Sequence, residues 1–95
     1  MGNLLGDLSV KRIIRFNGDG PVRAYCDLAI GDAFLIKGLR VVEGKNGTFV
    51  SMPRQQGKDA KWYDNVVALT KDVKKAVGDV VLEAYEQELN GESQR

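Results

Sequence analysis

Arg40–Pro53 reads RVVEGKNGTFVSMP, and the rest of the chain is arranged around it. Two strand-like runs, Leu39–Val42 and Thr48–Met52, flank a tip of Glu43, Gly44, Lys45, Asn46 and Gly47. Asn-Gly is the dipeptide that most readily takes up positive φ, so the pattern predicts a β-hairpin. Pro53 has no amide hydrogen for a ladder and therefore ends the second strand or confines it to an edge.

Upstream of the hairpin the pattern is more sheet. Leu8–Phe16 alternates imperfectly, with Leu8, Val10, Ile14 and Phe16 on one parity and Ser9, Lys11 and Arg15 on the other. That pattern reads as a half-buried strand. Asn17-Gly18-Asp19-Gly20 is dense in turn formers. Val22, Ala24, Cys26, Leu28 and Ile30 then alternate with Arg23, Tyr25, Asp27 and Ala29, the cleanest period of two in the chain. Gly31-Asp32 turns into Ala33–Val42, which is apolar on both parities: Phe34, Ile36 and Val42 on one, Leu35, Leu39 and Val41 on the other. A strand apolar on both faces needs cover on both, and one helix covers only one face. The expectation is a homodimer built on the sheet, by face packing or by pairing of edge strands.

Downstream of Pro53, RQQGKDAK reads as an exposed loop, and Trp62–Leu69 holds a last strand of about half its length. Thr70 is the expected helix N-cap, with Asp72 in the first turn where the dipole favours a carboxylate. Val73, Ala76, Val77, Val80, Val81 and Ala84 recur at three and four residues, a helix face laid on a sheet. Gly78 interrupts that helix, which implies a close approach to the sheet, and Gly91 is the expected stop. The fold class is α+β: a four- to five-stranded, mostly antiparallel sheet with one long C-terminal helix, dimerising through the sheet. The chain divides into an N-terminal arm (1–7), a single domain (8–89) and a polar tail (90–95).

Composition excludes several function classes. There is no histidine, which removes the commonest general base and metal ligand. Cys26 is the single cysteine and sits on the apolar parity of its strand, so it reads as a small buried hydrophobe. The carboxylates Asp27, Asp32, Asp59 and Asp64 come from different loops and strand faces, so no catalytic pair forms. NGDGPVR lacks both the phosphate-loop spacing and a following helix. Of the adjacent aromatics Trp62 and Tyr63, at least one is expected in the core. No enzymatic activity, cofactor, metal or small-molecule substrate is expected. No secretory signal or membrane-length apolar run is present in these 95 residues, so the expected compartment is the cytoplasm.

Net charge is +1, but its distribution is polar. Residues 1–75 carry 13 Lys and Arg against 8 Asp and Glu, and residues 76–95 carry one Arg against 5 acids. Two basic groups stand out: Arg54, Lys58 and Lys61 around the loop after the hairpin, and Lys71, Lys74 and Lys75 in the first turns of the helix. If the chain returns to the same end of the sheet, the two merge into one surface that contacts phosphates. Lysine is also the default occupant of exposed positions. On the residues alone, nucleic-acid binding and a plain protein-interaction module stand level.

A resemblance shifts that balance. RVVEGKNGTFVSMP is similar to the signature of the stage V sporulation protein G (SpoVG) family, the septation regulators. NGDGPVRAYCDLAIGDAFLIKGLRVVEG resembles that family's DG turn and its second and third strands in order, and VVLEAY at Val80–Tyr85 resembles its helix. The likeness spans roughly residues 8 to 86. The family's basic Ser-Lys/Arg loop after Met-Pro is matched only in part, by Arg54, and its Ala-His-Pro before the helix is Val67-Ala68-Leu69 here. The resemblance implies a small dimeric cytoplasmic regulator of gene expression and, in spore formers, of septation. It further implies binding to DNA, and in some members RNA, without enzymatic activity. It places Lys71, Lys74 and Lys75 at charged family positions and makes Asn46 and Gly47 structural.

Overall fold

The computed structural model describes residues 7–93. Met1–Gly6, most of the expected arm, and Gln94–Arg95 of the tail lie outside the described residues. Strands β1 (Leu8–Arg15), β2 (Val22–Ile30), β3 (Phe34–Gly44) and β4 (Gly47–Ser51) form an antiparallel sheet in the order β1-β2-β3-β4. Strands β5 (Arg54–Gln56) and β6 (Trp62–Asp64) pair only with each other, and helix α1 (Lys71–Ser93) closes the fold.

The signature hairpin forms as its sequence dictates. Gly44 pairs with Gly47 across a two-residue turn of Lys45 and Asn46. The positive φ falls on Gly47 alone, at 123°, while Asn46 keeps an ordinary negative φ. Pro53 separates β4 from β5, so the second strand ends where a missing amide requires it.

Three register shifts, at Lys11, Arg23 and Gly38, rearrange the faces expected from simple alternation. In β1 the register slips at Lys11, so Ile13 pairs with Cys26 and turns toward the core with Leu8 and Val10. Ile14 and Phe16 are thereby placed on the opposite face, where both are exposed. In β3 the extra residue is Gly38, at φ 88°, a conformation that favours a residue without Cβ. The bulge brings Ile36 to the same face as Leu39 and Val41, although their parities differ. The expectation that Leu39 and Val41 oppose Ile36 is therefore corrected. The bulge accounts for part of the apolar density on both parities, while Leu35 and Val42 stay on the face turned away from α1.

The core is Ala24, Cys26, Leu28, Leu39 and Val41 from the sheet with Val77 and Val81 from α1. Truncating one of its leucines to alanine costs about 2–5 kcal/mol, a large share of the stability of so small a domain. Thr70 caps the helix: its Oγ1 accepts from the Val73 amide at 3.1 Å. Gly78 is not a close-approach glycine, because a Cβ built there meets nothing within 4 Å. The helix also runs past the expected stop at Gly91 to Ser93. A glycine costs a helix about 1 kcal/mol without forbidding it, and Gly91 takes no positive φ that would turn the chain away.

The segment after Pro53 differs most from expectation. The exposed RQQGKDAK loop includes half of a small hairpin, and the last strand adds no fifth member to the main sheet. Neither Trp62 nor Tyr63 enters the core; both are exposed. The hairpin makes no extended contact with the sheet or α1. Its own polar side chains hold it instead, which a hydrophobic-pattern reading does not register.

Candidate nucleic-acid interface

Arg54, Lys58 and Lys61 all lie on the β5–β6 hairpin and all are exposed. Arg54 Nε is 3.1 Å from Asp64 Oδ1 across the strand pair, so its charge is already countered. Tyr63 donates from its hydroxyl to Asp59 Oδ2, and the Lys61 amide donates to Asp59 Oδ1. The Tyr63 hydroxyl, helped by the Lys61 amide, holds the Asp59 carboxyl below its usual range. The same hydrogen bond raises the Tyr63 phenol. Lys58 and Lys61 have no acid within ion-pair distance among the described residues. The tip carries two available cations above a fixed Asp59–Tyr63 contact. Ala60 completes the tip at φ 65°, the sole non-glycine residue with positive φ among those described.

Lys71, Lys74 and Lys75 occupy the first turns of α1, three and four residues apart, and all are exposed. Lys75 Nζ is 2.9 Å from Asp79 Oδ2 one turn on. The hydrogen bond and charge of Asp79 raise the Lys75 ammonium above its ordinary value. Lys71 and Lys74 have no such partner among the described residues. All three sit where unsatisfied amides already give the helix a positive end, so side-chain charge and backbone dipole add there. The hairpin and helix groups belong to separate elements with no extended contact between them. Two of the six cations are neutralised.

A third group escaped the sequence reading. Arg12, Lys37 and Arg40 lie on the sheet face turned away from α1, around Tyr25. The available signal was Tyr25 itself, an aromatic between Arg23 and Asp27 on the polar parity of β2. On the helix side, an apolar hollow of about 250 Å³ lies at the start of α1. Leu8, Ile30, Ile36, Met52, Val67 and Leu69 line it, and Leu69 is 93% exposed. Among the described residues no cluster of His, Cys, Asp and Glu could hold a metal, and no helix is long and apolar enough to cross a membrane.

The SpoVG family model matches residues 8–87, the whole sheet, the small hairpin and most of α1. The chain belongs to the SpoVG family. The SpoVG protein of Archaeoglobus fulgidus is 33% identical over 84 residues, covering 88% of this chain and 99% of that relative. SpoVG 2 of Listeria monocytogenes is 33% identical over 76 residues, covering 80% of this chain and 74% of its own. The SpoVG protein of Symbiobacterium thermophilum is 37% identical over 75 residues, 79% of this chain and 54% of the relative. All three carry septation in their names. The SpoVG match spans both basic segments, so the hairpin and the helix start belong to the family's shared chain length.

Proposed function

We propose that this chain is a non-enzymatic, homodimeric, cytoplasmic regulator that binds DNA, and RNA as a second ligand, in a process related to the septation named for its relatives. The observation that carries the reading is Lys71 and Lys74, unpaired among the described residues, beside the Asp79-paired Lys75 at the positive end of a 23-residue helix. Like charge at that end opposes the helix dipole by a few tenths of a kcal/mol or more per residue and concentrates a field that attracts phosphate. Lys58 and Lys61 on the projecting hairpin supply a second phosphate contact.

The dimer uses the open edge of β4. Gly47–Ser51 has no charged residue, no proline and no bulge, whereas the β1 edge is guarded by a bulge at Lys11 and by Lys11 and Arg12 themselves. Pairing of two β4 strands gives one continuous eight-stranded sheet. Thr48→Lys places a charge on that edge and is expected to yield monomers in sedimentation velocity.

The direct test is fluorescence anisotropy with DNA and RNA probes at low and moderate salt. Reversing Lys71, Lys74 and Lys75 to Glu abolishes binding and leaves the dimer intact. Wild-type protein that forms no complex at micromolar concentration in low salt defeats the proposal. The second reading, a protein-interaction module for division or transcription machinery, is favoured by exposed Leu69 beside the apolar hollow. One stoichiometric partner that survives nuclease treatment, and is lost in Leu69→Asp, supports that reading instead.

A further inference from the structure

Among the described residues nothing covers the sheet face opposite α1, and its centre is both aromatic and cationic. The strand registers set its rows. Arg12, Asp27 and Lys37 lie side by side across three strands, and Ile14, Tyr25, Arg40 and Ser51 form the next row. Phe16, just past β1, packs edge-to-face with Tyr25, ring centroids 6.0 Å apart and planes at 80°. Gly18 lies against the Phe16 ring with no room for a methyl group, so the β1–β2 turn backs this aromatic pair. Tyr25 is nevertheless 41% exposed. With Arg12, Asp27 and Lys37 it lines a shallow hollow of about 160 Å³, of the order of one nucleobase.

Charge decides between the two candidate occupants. A second copy stacked face to face about a two-fold axis would set three cations and one acid against the same set, and interface cores are depleted in charge. A polyanion with flat apolar bases matches every feature. We infer that this face binds single-stranded nucleic acid, with a base stacked on Tyr25 and phosphates on Arg12, Lys37 and Arg40. Asp27, which can only accept hydrogen bonds when ionised, takes one from an exocyclic amine of the seated base. Duplex bases stay within their own stack and cannot lie flat on Tyr25, so the site selects single strands. The inference rests on the nucleic-acid reading above and gives it a second surface apart from the helix lysines.

The test compares a labelled single-stranded 12-mer with a duplex of the same sequence, using the full-length protein. Tyr25→Ala weakens single-strand binding about five-fold or more, the loss of one stacked base, and leaves duplex affinity unchanged. Tyr25→Phe retains wild-type binding. Lys37→Gln weakens single-strand binding and lowers its salt slope by about one. Equal single-strand affinity for wild type and Tyr25→Ala overturns the inference while duplex binding still upholds the wider reading. Tyr25→Ala protein that sediments as a monomer assigns the face to a second copy and likewise overturns it. Failure of wild-type protein to bind either probe defeats the nucleic-acid reading itself.

Discussion

Gly78→Ala and Gly38→Ala place the same methyl group into the same kind of empty space, yet they are expected to act in opposite directions. A Cβ at either position meets no heavy atom within 4 Å, so neither variant clashes and neither gains a contact. What remains is the backbone. Gly78 lies inside α1, well away from Lys71 and Ser93, where replacing glycine by alanine is worth about 0.8–1 kcal/mol. For a domain of this size that raises Tm by about 4–8 °C. Gly38 sits in the β3 bulge at φ 88°, where a side chain costs about 1–3 kcal/mol and Tm falls accordingly. Thermal melts followed by circular dichroism at one fixed protein concentration, with urea midpoints as a check, measure both. A Gly78→Ala variant no more stable than wild type would refute the reasoning. It would mean that a neighbouring surface crowds Gly78.

Three further outcomes follow from local geometry. Thr70→Ala removes the cap on the Val73 amide and lowers stability by about 1 kcal/mol in urea unfolding, with Thr70→Ser close to wild type. Ala60→Gly relieves about 1 kcal/mol of left-handed strain. Because the hairpin packs on neither sheet nor helix, the gain is read as slower hydrogen exchange at the Gly57 amide, which donates to Lys61 O at 2.8 Å, with Tm unchanged. Burial, with the charge of Asp27 second, pushes the Cys26 thiol up to about 11. Its folded-state value exceeds the unfolded one, so its contribution is full below the unfolded pKa and is lost as pH rises through about 11. Native protein at pH 8 therefore resists a thiol reagent that reacts at once in urea, and rapid native labelling would contradict the burial.

The fold was legible where one residue type decides one conformation. Pro53 ended β4, Thr70 capped α1, and the alternation of Ala24, Cys26 and Leu28 marked the buried side of β2. It was illegible where a single extra residue shifted a period. Lys11 and Gly38 carry no signal in composition, yet each reverses which side chains face the helix. Those shifts hid the cationic sheet face, because Arg12 and Lys37 read as ordinary polar positions until the register aligned them across Asp27. The small hairpin was missed for another reason: Asp59–Tyr63 and Arg54–Asp64 hold it, and side-chain pairing of this kind leaves no hydrophobic period. The lysines were visible from the start, but which of them meet an acid depended on Asp64 and Asp79 at distances that spacing alone does not supply.

The bulge at Gly38 also sets where the chain tolerates a change of length. Deleting that one residue would put Ile36, Leu39 and Val41 on one parity and leave their faces unchanged. Removing an ordinary paired residue of β3 would instead exchange the sides of every side chain beyond it. The β5–β6 tip has no such coupling, because among the described residues its hairpin makes no extended contact with the sheet or α1. Natural insertions and deletions in proteins of this architecture should therefore gather at Gly57–Lys61 and at Gly38, and spare the paired residues of β3.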